Sequence, residues 1–221
     1  MTAQFAIARG SRVHLNLTDQ VDLIIAEEIF VDGIYPLESL TFDPDTVIDC
    51  GACAGMFTLL ARARYPDAKY HVFEPEPTNI TRINRNLALN EFDVALHECA
   101  VGCRAGQVHF SGNGFGGRVN EEENAGITVK LIDFPNWLST VKTERLLLKI
   151  DIEGAEDELL PLLPPLLPPS TVLFLETHHD EKTYLGYLQS WFDAGFTHTI
   201  VRKRAATETD PDYVEHVLIR N

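Results

Sequence analysis

The 221 residues suit one large α/β domain better than two. With 33 acidic against 18 basic side chains and a formal charge of −15, the surface repels phosphate backbones and anionic headgroups, so neither nucleic acid nor membrane is expected as a partner. No apolar run approaches the roughly 18 residues of a membrane span, and the N-terminus lacks a signal-peptide layout. The expectation is a cytoplasmic protein whose four cysteines are free thiols.

In chain order, residues 1–45 read as an N-terminal helical or cover segment, with a helical pattern from Gln20 to Ile29 and a turn at Asp32-Gly33-Ile34-Tyr35-Pro36. From Thr46, short apolar runs alternate with helical patterns, the signature of a parallel sheet wound by crossover helices. Thr46–Cys50 is a buried strand and Gly55–Tyr65 its helix; Lys69–Glu74 and Thr78–Asn90 repeat the unit, and Val94–Val101 is a third strand. Gln107–Ser111 and Thr128–Ile132 are short extra strands flanking a glycine-rich segment, 111–118, suited to an acceptor-side loop or an exposed hairpin tip. Leu146–Asp151 is the next buried strand, and Ala155–Leu163 a short helix stopped by prolines. Then come strand Thr171–Thr177, helix Lys182–Asp193, and strands Phe196–Arg202 and Tyr213–Arg220. The last two are joined too closely for a parallel crossover and so form an antiparallel hairpin. The expected fold is α/β, with a mostly parallel seven-stranded sheet over residues 46–221 and a C-terminal antiparallel hairpin.

The first βα turn, Asp49-Cys50-Gly51-Ala52-Cys53-Ala54-Gly55, opens a crevice at the carboxyl edge of the sheet. Gly51 permits a tight turn and Gly55 a close helix start. Dinucleotide sites use Gly-x-Gly-x-x-Gly. Here the spacing is Gly-x-x-x-Gly with the Asp49 carboxylate beside it, which suits a cofactor bearing an ammonium group rather than a pyrophosphate. Glu74, at the end of the second strand, is placed to accept ribose hydroxyls. Cys50-x-x-Cys53 also has the layout of a redox site, and with Cys99 and Cys103 that of a zinc site. A non-catalytic cofactor-binding module is a further alternative.

Val47 to Phe57, Val72-Phe73-Glu74-Pro75-Glu76-Pro77 with Asn79, Asn86-Leu87 and Asn90, Ala100-Val101-Gly102, Leu148 to Glu156, and Phe174 to His178 together resemble the FkbM family of methyltransferases. The resemblance runs from about residue 46 to 180 in the family's order. It departs at Cys50 and Cys53, where the family commonly has other small or polar residues. It implies a Rossmann-like class I methyltransferase fold, S-adenosylmethionine (S-adenosyl-L-methionine, leaving S-adenosyl-L-homocysteine as product), and methyl transfer to a hydroxyl of a sugar or small molecule. It further implies that Asp49, Gly51 and Glu74 contact the cofactor, with residues near Ala100 against the adenine. Ala52, Gly55, Pro75, Asn79 and Asp151 complete that expected set, and Tyr35 is positioned to close over it.

A hydroxyl acceptor gains from a general base or a metal. Asp151, Glu176 and His178 stand at carboxyl ends of strands, with Lys149 on the same strand face as Asp151. His178 is the leading base, since its ordinary pKa near 6.5 suits proton removal near neutrality; His179 is its nearest substitute. Lys149 is expected to pair with a nearby carboxylate. Asp151 and Glu176 are hydrogen-bonding anchors or two oxygen ligands of a divalent ion, and two carboxylates alone are too few to infer a metal. A homo-oligomer is compatible with all of this.

Overall fold

A computed structural model describes residues 1–7, 11–111, 118–120, 126–153, 155–177, 181–204 and 213–220. The chain opens with a hairpin, β1 (Thr2–Ala6) and β2 (Arg12–Asn16), then α1 (Gln20–Glu27). The hairpin precedes the helix expected from Gln20 and adds two strands to the segment read as helical or cover. The helix also ends earlier than its apolar spacing suggests, because a π-helical turn takes over at Glu28–Asp32. Gly33 then stops it with φ of 69°.

The core begins with β3 (Thr46–Cys50), α2 (Met56–Arg64), β4 (Lys69–Phe73), α3 (Pro77–Leu89) and β5 (Ala95–His97). All five residues of β3 are buried, as a strand covered on both faces must be. The α3 helix starts with Pro77, whose missing N–H costs nothing there, and the Glu76 side chain caps it by accepting from the Asn79 amide at 2.7 Å.

The strand expected over Val94–Val101 is two strands. After β5 the Cys99 amide donates to the His97 carbonyl at 2.9 Å, and the chain leaves the main sheet as β6 (Ala100–Gly102). With β7 (Gly106–Ser111), β8 (Arg118–Asn120) and β9 (Ile127–Asp133) it makes a second, four-stranded sheet of order β6-β9-β7-β8. Its small core is Ala100, Phe110, Val129 and Leu131. Residues 112–117 of the glycine-rich segment lie outside the described residues.

A short helix, α4 (Phe134–Leu138), returns the chain to β10 (Arg145–Ile150). The helix expected to Leu163 is α-helical only over α5 (Glu156–Leu159). The prolines at 161, 164 and 165 force two 3₁₀ turns, Leu160–Leu162 and Pro164–Leu166. Then follow β11 (Ser170–Thr177), α6 (Glu181–Asp193), β12 (Thr197–Arg204) and β13 (Tyr213–Arg220).

The main sheet has seven strands in the order β12-β13-β11-β10-β3-β4-β5. Only β13 runs against its neighbours, pairing antiparallel with β11 and β12. Alternate side chains feed opposite faces: Ile48, Leu148 and Leu173 pack toward Tyr184, Leu188 and Trp191 of α6, while Val47, Leu147 and Val172 pack toward Phe57 and Ala61 of α2. Each fully buried leucine of this kind contributes about 1.5–3 kcal/mol. The direction of winding reverses between β3 and β10, and the crevice at the carboxyl ends of those strands is where α/β sheets place ligands.

Candidate functional site

Three charged side chains meet at that reversal. Lys149 pairs with Asp49 in register across β10 and β3, and its Nζ donates to the Gly51 carbonyl at 2.6 Å. The same ammonium lies 3.2 Å from Asp151 Oδ2 and 3.5 Å from Asp49 Oδ1. Burial alone would push its pKa down, yet Asp151, Tyr35 and Asp49 raise it well above the ordinary lysine value. Lys149 is therefore a fixed cation and not a base; it holds together the turn and two carboxylates.

Asp49 has no exposed surface. Thr58 Oγ1 on α2 donates to its Oδ2 at 2.6 Å, and Oδ1 has no hydrogen-bond partner among the described residues. Burial pushes its carboxyl up, while Lys149 and Thr58 oppose that. Asp49, of which contact with a cofactor is expected, lies buried beneath the turn, bonded to Thr58 and beside the Lys149 ammonium.

Gly51 and Gly55 are both left-handed, with φ of 78° and 75°. A Cβ on Gly51 would lie 1.7 Å from the Asp151 carbonyl oxygen, so only glycine lets the ends of β3 and β10 close on each other. A Cβ on Gly55 would sit 3.3 Å from the Ile83 side chain of α3. The Gly51 and Ala52 amides both donate to the Phe73 carbonyl, at 3.0 and 3.1 Å, tying the turn to β4. Cys53 is left-handed too, at φ 50°, an uncommon state for a side chain with a Cβ. That conformation aims its amide at Glu74 Oε2, 2.8 Å away.

Glu74 is only 3% exposed. Its Oε1 accepts from the Glu76 amide at 2.9 Å and more weakly from Asn79 Nδ2 at 3.4 Å. These three donors leave accepting capacity on Oε2. No cation of the described residues pairs with it, and burial pushes its carboxyl up to about 7 against the pull of those donors. Pro75 is half-buried beside it. Ala100 stands apart: its side chain belongs to the core of the small sheet, opposite Leu131.

On the other side of Lys149, Tyr35 packs edge-on against Phe57 and tilted against Phe174, with ring centroids 4.8 and 5.4 Å apart. Tyr35, Lys149, Glu176 and His216 line one small cavity with Ile34. Asp151 is the more open carboxylate, with 24% of its side chain exposed. His178 and His179 lie outside the described residues. Their neighbour Thr177 bonds His216 Nε2 at 2.9 Å, whose Nδ1 meets His198 Nε2 at 2.8 Å. Burial drives the His216 pKa down to about 3, so this pair stays neutral.

Sequence reasoning missed Thr58, the Cys53 amide, His216 and Glu156. The last is a buried carboxylate that accepts from the Ile152 amide at 3.0 Å and so shapes the chain after β10. Only Thr58 carried a usable signal, a hydroxyl in the first turn of the helix that follows the glycine turn.

The cysteines do not converge. Cys50 and Cys99 pack in the cluster beneath α6, whereas Cys53 packs on the opposite face. Burial pushes Cys50 well above the usual thiol range and Cys53 up to about 12, the reverse of a reactive redox thiol. No group of three or more metal-ligating side chains occurs among the described residues. None of the described helices is long and apolar enough to cross a membrane.

The turn, the strand reversal and Glu74 all fall within residues 49–196, the stretch that matches the methyltransferase FkbM domain. The chain belongs to the FkbM methyltransferase family. Methyltransferase sdnD of Sordaria araneosa is 31% identical over 173 residues, 62% of this chain and 66% of that protein. The 31-O-demethyl-FK506 methyltransferase FkbM of Streptomyces tacrolimicus is 35% identical over 80 residues, 36% of this chain and 31% of that protein. The chain thus spans less than two thirds of either relative's length. Among solved structures, methyltransferase FkbM from Methylobacillus flagellatus KT shares the fold at a TM-score of 0.55 and 16% identity, over 83% of this chain and 46% of that one. The sheet is accordingly that of a Rossmann-like class I methyltransferase.

Proposed function

We propose that this FkbM-family chain is an S-adenosylmethionine-dependent O-methyltransferase acting on a hydroxyl of a small molecule or sugar. Glu74 carries the reading. A buried carboxylate with no paired cation is costly, yet three donors hold this one in place with an oxygen still able to accept. Ribose hydroxyls supply the donors such a group needs. When bound, the cofactor provides an electrophilic methyl group on a sulfonium, so alignment is the main task left to the protein.

The chain's own residues divide that task. The Gly51–Gly55 turn forms the floor, fastened by Lys149 from β10 and by the Phe73 carbonyl from β4. Asp151, Glu176 and Tyr35 face the acceptor side, and His178, next after Thr177 in the sequence, takes the proton of the attacking hydroxyl. A relative whose name specifies a 31-O-demethyl substrate supports oxygen as the acceptor atom. In this proposal residues 46–221 are the catalytic unit and 1–45 its cover.

Titration calorimetry with S-adenosylhomocysteine tests the cofactor. Wild type should bind, and Glu74→Ala should weaken binding by about tenfold or more, as expected for a lost charge-assisted hydrogen bond. No binding by wild type, or equal affinity in the variant, would sink the reading.

A further inference from the structure

Asn86 and Asn90 stand out in the sequence, and neither takes part in the site as described so far. With Arg82 they form a stripe at i, i+4 and i+8 along one face of α3. Each grips the N-terminal segment. Arg82 pairs with Asp19 and, at 3.6 Å, with Asp22. Asn90 Oδ1 accepts from the His14 amide at 2.7 Å, and its Nδ2 donates to the His14 carbonyl at 2.6 Å. Asn86 Oδ1 accepts from the Asn16 amide at 2.9 Å.

Asn86 also reaches in the other direction. Its Nδ2 donates at 2.9 Å to the carbonyl of Ala54, inside the Gly51–Gly55 turn. The side chain is 1% exposed, and its two partners are a backbone donor and a backbone acceptor, which fixes the orientation of the amide. One buried group therefore touches both β2 and the cofactor turn. If β2 departs, Asn86 loses the bond that aims it, and the buried Ala54 carbonyl loses a donor.

We propose that Asn86 is a positioning residue that makes the N-terminal hairpin part of the cofactor site, so that docking of β2 and cofactor binding at the turn strengthen each other. The coupling is reciprocal by thermodynamic necessity. It rests on the reading of Gly51–Gly55 as a cofactor turn.

The test is amide hydrogen exchange over residues 11–17 of the full chain, with and without S-adenosylhomocysteine, alongside calorimetry. In wild type the ligand should slow exchange in β2. Asn90→Ala should speed that exchange but keep the slowing by ligand, because the Ala54 bond survives. Asn86→Ala should weaken affinity about tenfold and abolish the slowing. Should Asn86→Ala not fold, Asn86→Asp keeps an acceptor for Asn16 and removes the donor to Ala54, with the same two expectations. A purely structural Asn86 would leave the ligand-dependent slowing intact in its variants, and that result overturns the proposal. Wild type that binds ligand without any change in β2 exchange overturns it as well. Wild type that binds no ligand defeats the cofactor reading itself, and the coupling with it.

Discussion

Two buried carboxylates stand on neighbouring strands, and the protein compensates them by different means. Asp49 on β3 has a cation: the Lys149 ammonium lies 3.5 Å away and is shared with Asp151 and the Gly51 carbonyl. Glu74 beyond β4 has only dipoles, the amides of Cys53 and Glu76 and the side chain of Asn79. The first arrangement closes on itself and locks the floor of the crevice. The second is held by donors alone, and in the proposed function its remaining accepting capacity on Oε2 meets a ribose hydroxyl. In that proposal, structural strength and ligand affinity fall to different sides of one turn.

The sharpest way to break this contrast is Lys149→Met. It leaves the buried Asp49, and the partly exposed Asp151, without their cation, a loss of about 3–5 kcal/mol in unfolding free energy. The deficit should shrink as pH falls, since Asp49, whose carboxyl burial already pushes up, can then take up a proton. Chemical denaturation at acid and alkaline pH measures both effects, and a variant as stable as wild type would show the ammonium to be dispensable.

On the Glu74 side, the effect appears in affinity. Its carboxyl sits near 7 in the free protein, and hydroxyl donors favour the charged form. S-adenosylhomocysteine affinity should therefore be level in alkaline solution and fall as pH drops through about 7, by up to tenfold per unit. The sign for stability is opposite. A carboxyl whose folded pKa is raised contributes stability below its unfolded value, and that contribution is lost as pH rises through about 7. Glu74→Gln should flatten both profiles; a slope that survives in the variant assigns the titration to another group.

The smallest change tests the weakest strut. Asn79→Ala removes a 3.4 Å contact that favours the charged carboxylate. The midpoint of the affinity profile should move to higher pH, with about a two- to threefold loss of affinity at neutrality. A shift in the other direction would mean that Asn79 does not support the charge.

Much of this frame could be read from residue order. The apolar runs of β3, β10 and β11 announce strands covered on both faces, and the short link before Tyr213 leaves only a hairpin. Gly51 and Gly55 are legible because the left-handed backbone of the turn demands glycine. What escaped depends on partners remote in sequence. The β1–β2 hairpin is short, and although Val13 and Leu15 alternate with polar residues, it docks through Asn86 and Asn90, about 70 residues later. Nothing in Val94–Val101 shows that the chain changes sheets after His97. The burial of Asp49 likewise depends on Thr58 and Lys149, which only the folded sheet brings together.

The asparagine stripe on α3 has one more effect. The outward amides of β2, at His14 and Asn16, are those that would otherwise invite a strand from another molecule. Asn90 and Asn86 occupy them with side-chain oxygens, so this border of the hairpin is closed to cross-chain pairing without a further strand. A protein with these two positions changed would lose that guard, and its tendency to aggregate at high concentration would rise even where its fold survives.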